Sequence, residues 1–159
     1  MTEPRWLSDD ERLAWLRLVA VTMLLPSRLE AELKRDAGLS HFEYYVLAMI
    51  SESPQKQLLL TELASRTNSS LSRLSHVIGR LEGAGFLTRF PSPVDGRASI
   101  AALTDAGWEK IVASAPGHVE EVREVVFDPL TSRQVAQLSE ICGQLLSTLD
   151  PEHHLLGLG

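Results

Sequence analysis

The sequence predicts a fold that is mainly α with a small β wing (α+β). Three observations predict it. Apolar residues recur at spacings of three and four along most of the 159 residues, which is the period of amphipathic helices. The period changes once, over residues 86–103, to strand formers on either side of a loop rich in proline. Three capping boxes, Ser8 with Glu11, Ser40 with Glu43 and Thr131 with Gln134, mark helix starts. The length suits one compact unit with a real core.

The first helix follows Ser8 and carries Asp9, Asp10 and Glu11 in its first turn, where the helix dipole favours acids. Pro26 is expected to kink or break it, a second piece runs to about Arg35, and Gly38 ends it. Trp6, Trp15 and many leucines make this segment more apolar than one small domain needs. A helical partner, another copy of the chain, is the simplest account. Ser40 caps a second helix whose apolar face is Phe42, Val46, Met49 and Ile50, ending near Pro54. Residues 58–60 form a brief strand, and Thr61 caps a short third helix over residues 62–67.

Residues 68–85 hold the stretch that organises the chain. Leu71, Leu74, Ile78 and Leu81 form a buried stripe, while Ser69, Arg73, His76 and Arg80 fall on the opposite face. Asn68 or Ser69 caps the start, and Gly85 fits the left-handed position beyond the end. Short hydroxyls allow close approach to a surface, and arginines then grip phosphates or the edge of guanine. An ordinary amphipathic helix would carry the same stripe. However, two short helices joined by a tight polar turn, the second with a cationic outer face, make a helix-turn-helix.

The hairpin that follows makes this a winged helix-turn-helix, with strands over residues 86–90 and 98–103. Arg97 lies at the tip or on the descending side, where a guanidinium can enter the minor groove. Asp95 is expected to hold that guanidinium by a charge-assisted hydrogen bond. In isolation Asp95-Gly96-Arg97 would be an ordinary turn. Behind this helix the nucleic-acid reading is the stronger one.

Thr104 caps the next helix, which Pro116 and Gly117 kink or break. Val119, Val122, Val126 and Phe127 resume its apolar stripe, with Glu120, Glu121 and Glu124 facing largely outward until Pro129. In the last helix Val135, Leu138, Cys142, Leu145 and Leu149 form a packing seam. The division is therefore residues 1–38, an N-terminal helix segment that meets a helical partner; 39–107, the winged lobe; 108–150, C-terminal helices with a packing seam too short for a stand-alone coiled coil; and 151–159, a flexible tail.

Net charge is −6. Residues 66–97 carry five arginines against Glu82 and Asp95, so this segment is +3 and the remainder −9. Such a chain touches nucleic acid with one surface and repels it elsewhere. No nucleophile elbow, phosphate loop or paired-carboxylate motif is present, so no catalytic residues are assigned and an enzyme is not expected. No cofactor or metal is expected either. Cys142 is the only cysteine, which excludes an intrachain disulfide and a cysteine-rich zinc site. His118 and Glu121 sit one turn apart, but no third ligand accompanies them. The acidic start is unlike a signal peptide, and the apolar run 18–25 is too short to span a bilayer. A reducing cytoplasm is the expected location.

Thr61-Glu62-Leu63-Ala64, Ser72-Arg73-Leu74, Arg80-Leu81-Glu82 with Gly85, Asp95-Gly96-Arg97 and Leu103-Thr104-Asp105-Ala106-Gly107 occur in order. Together with the flanking helices they resemble the MarR family of bacterial transcriptional regulators. The resemblance implies a homodimer in which residues 1–38, the N-terminal dimerisation helix segment, interlock with the C-terminal dimerisation helices of residues 108–150, and two winged lobes sit on a near-palindromic operator in double-stranded DNA. It implies DNA contacts by Ser69, Ser70, Ser72, Arg73, His76, Arg80 and Arg97, with Asp95 positioning the wing arginine. It implies repression relieved by a small, often phenolic, ligand or by an oxidant. Gly83 departs from the pattern, since relatives often carry a longer, often charged residue there. By family analogy, Trp15, Tyr45 and His118 are candidates to line a ligand pocket between the dimer helices and the lobe. The alternatives are a winged helix that binds protein, or a redox-responsive regulator using Cys142. The latter is disfavoured because a thiol on an apolar seam is expected to be buried and inert.

Overall fold

The computed structural model describes residues 3–155. The chain runs α1 (Asp9–Ala37), α2 (His41–Glu52), β1 (Gln57–Leu59), α3 (Leu60–Arg66), α4 (Leu71–Gly83), β2 (Leu87–Pro91), β3 (Ser99–Leu103), α5 (Asp105–Val122) and α6 (Ser132–Leu149). A 3-10 turn at Pro54–Lys56 precedes β1, and a π-helical turn at Arg123–Phe127 extends α5. The three strands are antiparallel in the order β1-β3-β2. Leu33, Leu47, Ile50, Leu63, Leu74 and Ile78 are fully buried, so the core lies where the end of α1 meets α2, α3 and α4.

The local signals act as read. All three capping boxes form with reciprocal hydrogen bonds. Gly38 and Gly85 adopt φ of 68° and 79°, the left-handed conformation that favours glycine. Thr104 caps α5 by accepting from the Gly107 N–H at 3.0 Å.

Several expectations are corrected. Pro26 and Pro116 break nothing: each lies inside a single assigned helix. The carbonyls that lose a partner belong to Thr22 and Val112, both exposed, where water can serve them. The short strand starts at Gln57 and runs straight into α3, so Leu59 occupies the cap position without a side-chain bond and Thr61 does not cap. Ser70, rather than Asn68 or Ser69, caps α4 by accepting from the Arg73 N–H at 3.2 Å. Leu71 is 49% exposed at the open end of that helix, and Val77 takes its place in the buried stripe. Glu121 is buried against Arg28 instead of facing outward. The tail is partly ordered: the Asp150 carboxylate accepts from the N–H groups of His154 and Leu155 at 3.1 and 2.8 Å. The rest of the expected flexible tail, 156–159, lies outside the described residues.

None of the residues of α6 is buried, and its seam lies open along Leu138, Leu145 and Leu149. The first half of α1 is equally bare, with Trp15, Leu16 and Leu24 exposed.

The base of the wing depends on one glycine. A Cβ on Gly107 would collide with the Phe86 carbonyl oxygen and stand 2.8 Å from Leu103 Cδ2. Backbone cannot move aside as a flexible side chain can, so Gly107→Ala should cost about 2–4 kcal/mol in urea denaturation. Gly79, in open space within α4, is the contrast. There, alanine should add about 0.5–1 kcal/mol by removing glycine's backbone entropy.

Candidate nucleic-acid interface

Ser70 fixes the start of α4, and the buried stripe turns Ser72, Arg73 and His76 outward, where all three are exposed. Ser72, Arg73, His76 and Arg80 line one open cleft with Phe42 of α2 and Glu30 of α1. Ser69 and Ser70 stand apart from them, in a recess facing Leu149 and Asp150 at the end of α6. Ser69 is half-buried and shares a 3.0 Å hydrogen bond with the Thr67 hydroxyl.

The wing is a closed loop. The Ser92 N–H donates to the Ala98 carbonyl at 2.8 Å, and the buried Ser92 hydroxyl accepts from the N–H groups of Val94 and Asp95. Sequence reasoning passed over Ser92; its signal was a lone hydroxyl between two prolines at a turn. Asp95 does not hold the Arg97 guanidinium as expected. Its carboxylate accepts from the Arg97 backbone N–H at 3.0 Å, so it shapes the turn and leaves the guanidinium exposed. A carboxylate two residues back reaches the nearby amide before it reaches the end of a long side chain.

The five arginines of this segment are not equivalent. Arg66 pairs with Glu62, Arg80 with Glu43 at 3.0 Å and Arg89 with Glu82 at 2.7 Å. Arg73 and Arg97 make no ion pair among the described residues. Arg73 instead lies over the Phe42 ring, 4.4 Å from its centroid. The unpaired positive charge of residues 66–97 is thus concentrated on one arginine of α4 and one of the wing.

Of the expected ligand-pocket residues, Tyr45 and His118 meet only through His41, whose ring centroid lies 6.1 Å from that of His118. His118 packs on Tyr44 with ring centroids 4.4 Å apart, whereas Tyr45, one residue on, stacks on His41 at 6.4 Å. Successive helical residues point about 100° apart, so only one of two adjacent tyrosines can face α5. Trp15 is 55% exposed on the bare half of α1. His118 Nδ1 lies 3.3 Å from the buried carboxylate of Glu32, and Arg28 holds Glu121. Among the described residues no three metal-ligating side chains gather, and no helix is long and apolar enough to cross a membrane. Cys142 is exposed in the single chain, on the α6 face that no other element of the chain covers.

A family model of MarR matches residues 39–99. A MarR-family transcriptional regulator of Streptomyces coelicolor, Sco3205, solved in complex with DNA, is 42% identical, with a TM-score of 0.89 over 95% of this chain and 94% of that one. This chain belongs to the MarR family. A second MarR-family regulator of Streptomyces coelicolor, AbsC, is 35% identical, with a TM-score of 0.87 over 92% of this chain and 98% of that one. An uncharacterized HTH-type transcriptional regulator of Bacillus subtilis, YdcH, is 35% identical over 58% of this chain; the match spans 63% of that protein's length. The fold is thus the MarR winged helix-turn-helix, and the chain is a MarR-family transcriptional regulator, not an enzyme.

The junction of α1, α2 and α5 titrates. Burial, aided by neighbouring His118, lowers the pKa of His41 below its ordinary 6.5, against the pull of Glu30 and Glu32. The unfolded chain therefore takes up this proton first, and the contribution to stability is lost as pH falls through about 6.5. His41→Gln should flatten the loss of stability between about pH 7 and pH 5, read by urea denaturation at stepped pH.

Proposed function

We propose that this MarR-family regulator binds a near-palindromic operator in double-stranded DNA as a homodimer in the cytoplasm, as a ligand-responsive repressor. The observation that carries the reading is the pair Arg73 and Arg97, exposed and without carboxylate partners on α4 and the wing of one lobe. In this reading the outer face of α4, with Ser72, Arg73 and His76, enters the major groove, and Arg97 enters the adjacent minor groove. Ser69 and Ser70 approach the backbone at the start of the helix, and Asp95 sets the wing turn. Residues 39–107 are the reading lobe, and residues 1–38 and 108–150 join two copies.

The dimer is supported by the open apolar faces of α1 and α6, where Leu24 is 70% and Leu149 78% exposed. The spacing of the two lobes follows the junction of α1 with α5. That junction is held by polar pairs, Glu32 with His118 and Arg28 with Glu121, rather than by apolar packing alone. A small, phenolic effector that wedges between these helices changes the spacing and releases the operator.

DNA enriched from a random pool by the parent protein supplies the test duplex. Arg73→Ala should weaken binding to it by about 1–3 kcal/mol if the side chain reads a base, and Arg97→Ala should lower the affinity as well. Parent-like binding of both variants at moderate salt would sink the assignment. Sedimentation should give a dimer at micromolar concentration, and Leu145→Asp on the open face of α6 should shift it toward monomer. A parent chain that runs as a monodisperse monomer would remove the dimer.

A further inference from the structure

The start of α2 lies beside the outer face of α4 and touches both of its long cations. Glu43 uses its two carboxylate oxygens for different tasks. One accepts from the Ser40 N–H at 2.8 Å and completes the capping box; the other stands 3.0 Å from the Arg80 guanidinium. The Ser40 hydroxyl in turn accepts from the Glu43 N–H at 3.1 Å, so the carboxylate is oriented from both sides. Its side chain is only 12% exposed. Burial works against its ionisation. The Ser40 hydrogen bonds together with Arg80 and Lys34 outweigh that penalty, and its pKa falls below the usual carboxylate range. One residue earlier, Phe42 offers its ring to Arg73.

We infer that Phe42 and Glu43 form a positioning clamp that sets how specifically the α4 face reads DNA. This rests on the reading that α4 is the DNA-contacting helix. Phe42 fixes the direction of the Arg73 guanidinium while leaving its donors free, because a ring face holds a cation without consuming hydrogen bonds. A base-reading arginine gains from such orientation, since its bidentate geometry on guanine is narrow. Glu43 does the opposite for Arg80. It occupies that charge with a carboxylate, so Arg80 releases no counterion on binding and adds nothing to sequence-independent grip. The clamp thus distinguishes two arginines on one face of α4, about two turns apart: one is aimed and one is neutralised.

The test uses full-length protein, a duplex enriched by the parent from a random pool, and a scrambled duplex of the same composition. Affinities are measured across a salt series. Phe42→Leu keeps an apolar residue, and Glu43→Gln keeps a capping-box side chain, so melting curves should stay near the parent's and register any folding fault. Phe42→Leu should lose roughly five- to tenfold on the enriched duplex and leave the scrambled one unchanged. Glu43→Gln should bind the scrambled duplex more tightly and steepen the log–log salt dependence by about two, one for each lobe of the dimer. Adding Arg80→Gln to Glu43→Gln should take that increment away. If both single variants keep the parent's salt slope and its ratio of enriched to scrambled affinity while Arg73→Ala still weakens the enriched complex, the clamp is refuted and the DNA reading stands. If Arg73→Ala is also silent, both fall together.

Discussion

The reading lobe depends on the close approach of two stretches of backbone. The first turn of α5 passes the residue after Gly85 so closely that only a glycine fits at position 107. The Phe86 carbonyl accepts from the Thr104 N–H at 3.1 Å. The Thr104 hydroxyl donates to the Gly85 carbonyl at 2.7 Å and accepts from the Gly107 N–H. One threonine therefore ties the end of α4, the foot of the wing and the start of α5. Any displacement of α5 must carry α4 and the wing with it, since no side chain lies between them to absorb the movement. A mechanical path from the terminal helices to the DNA-facing surface follows from this contact.

Electrostatics on that surface are sparing. The lobe segment carries a nominal +3 on a chain of −6, yet three of its five arginines are answered by carboxylates of the same lobe. A lobe covered with free cations would bind any duplex and gain little from the right one. On the proposed reading, leaving Arg73 and Arg97 free would give each winged lobe two contacts, one per groove, and keep the phosphate term small. The acidic remainder discourages approach by any other face. Closure of the wing loop through Ser92 serves the same end, because an ordered loop spends less entropy when its arginine enters a groove.

Most of the element order and all three capping boxes were legible because they are local. A hydroxyl three residues from a carboxylate or amide acts within one turn, and a glycine at positive φ needs no distant partner. The outward face of α4 was legible for the same reason: the helical period fixes it once the core stripe is known. What escaped was non-local. Nothing in the sequence says that Glu43, already used as a cap, has an oxygen left for Arg80, or that Arg28 reaches Glu121 across 93 positions. Tyr44 and Tyr45 could not be told apart before α5 was placed. That neither Pro26 nor Pro116 breaks its helix was not legible, because the cost of a proline depends on whether water reaches the orphaned carbonyl, which is a property of the surface. Cys142 is exposed in the single chain, and an apolar seam names a helix face without naming what covers it.

The junction of α1 with α5 shows why polar pairs are placed where apolar packing would hold more firmly. Glu32 is 3% exposed, and its carboxylate is placed there against His118 instead of in water. Leucine at the same place would bind α1 to α5 more tightly but in many registers, because apolar contact has no direction. A carboxylate and an imidazole 3.3 Å apart permit one register, and the Arg28–Glu121 pair one turn further repeats the demand. The helices that carry the lobe are thus indexed rather than merely glued, and an indexed joint of modest strength is what a regulator needs if a small molecule is to change its setting.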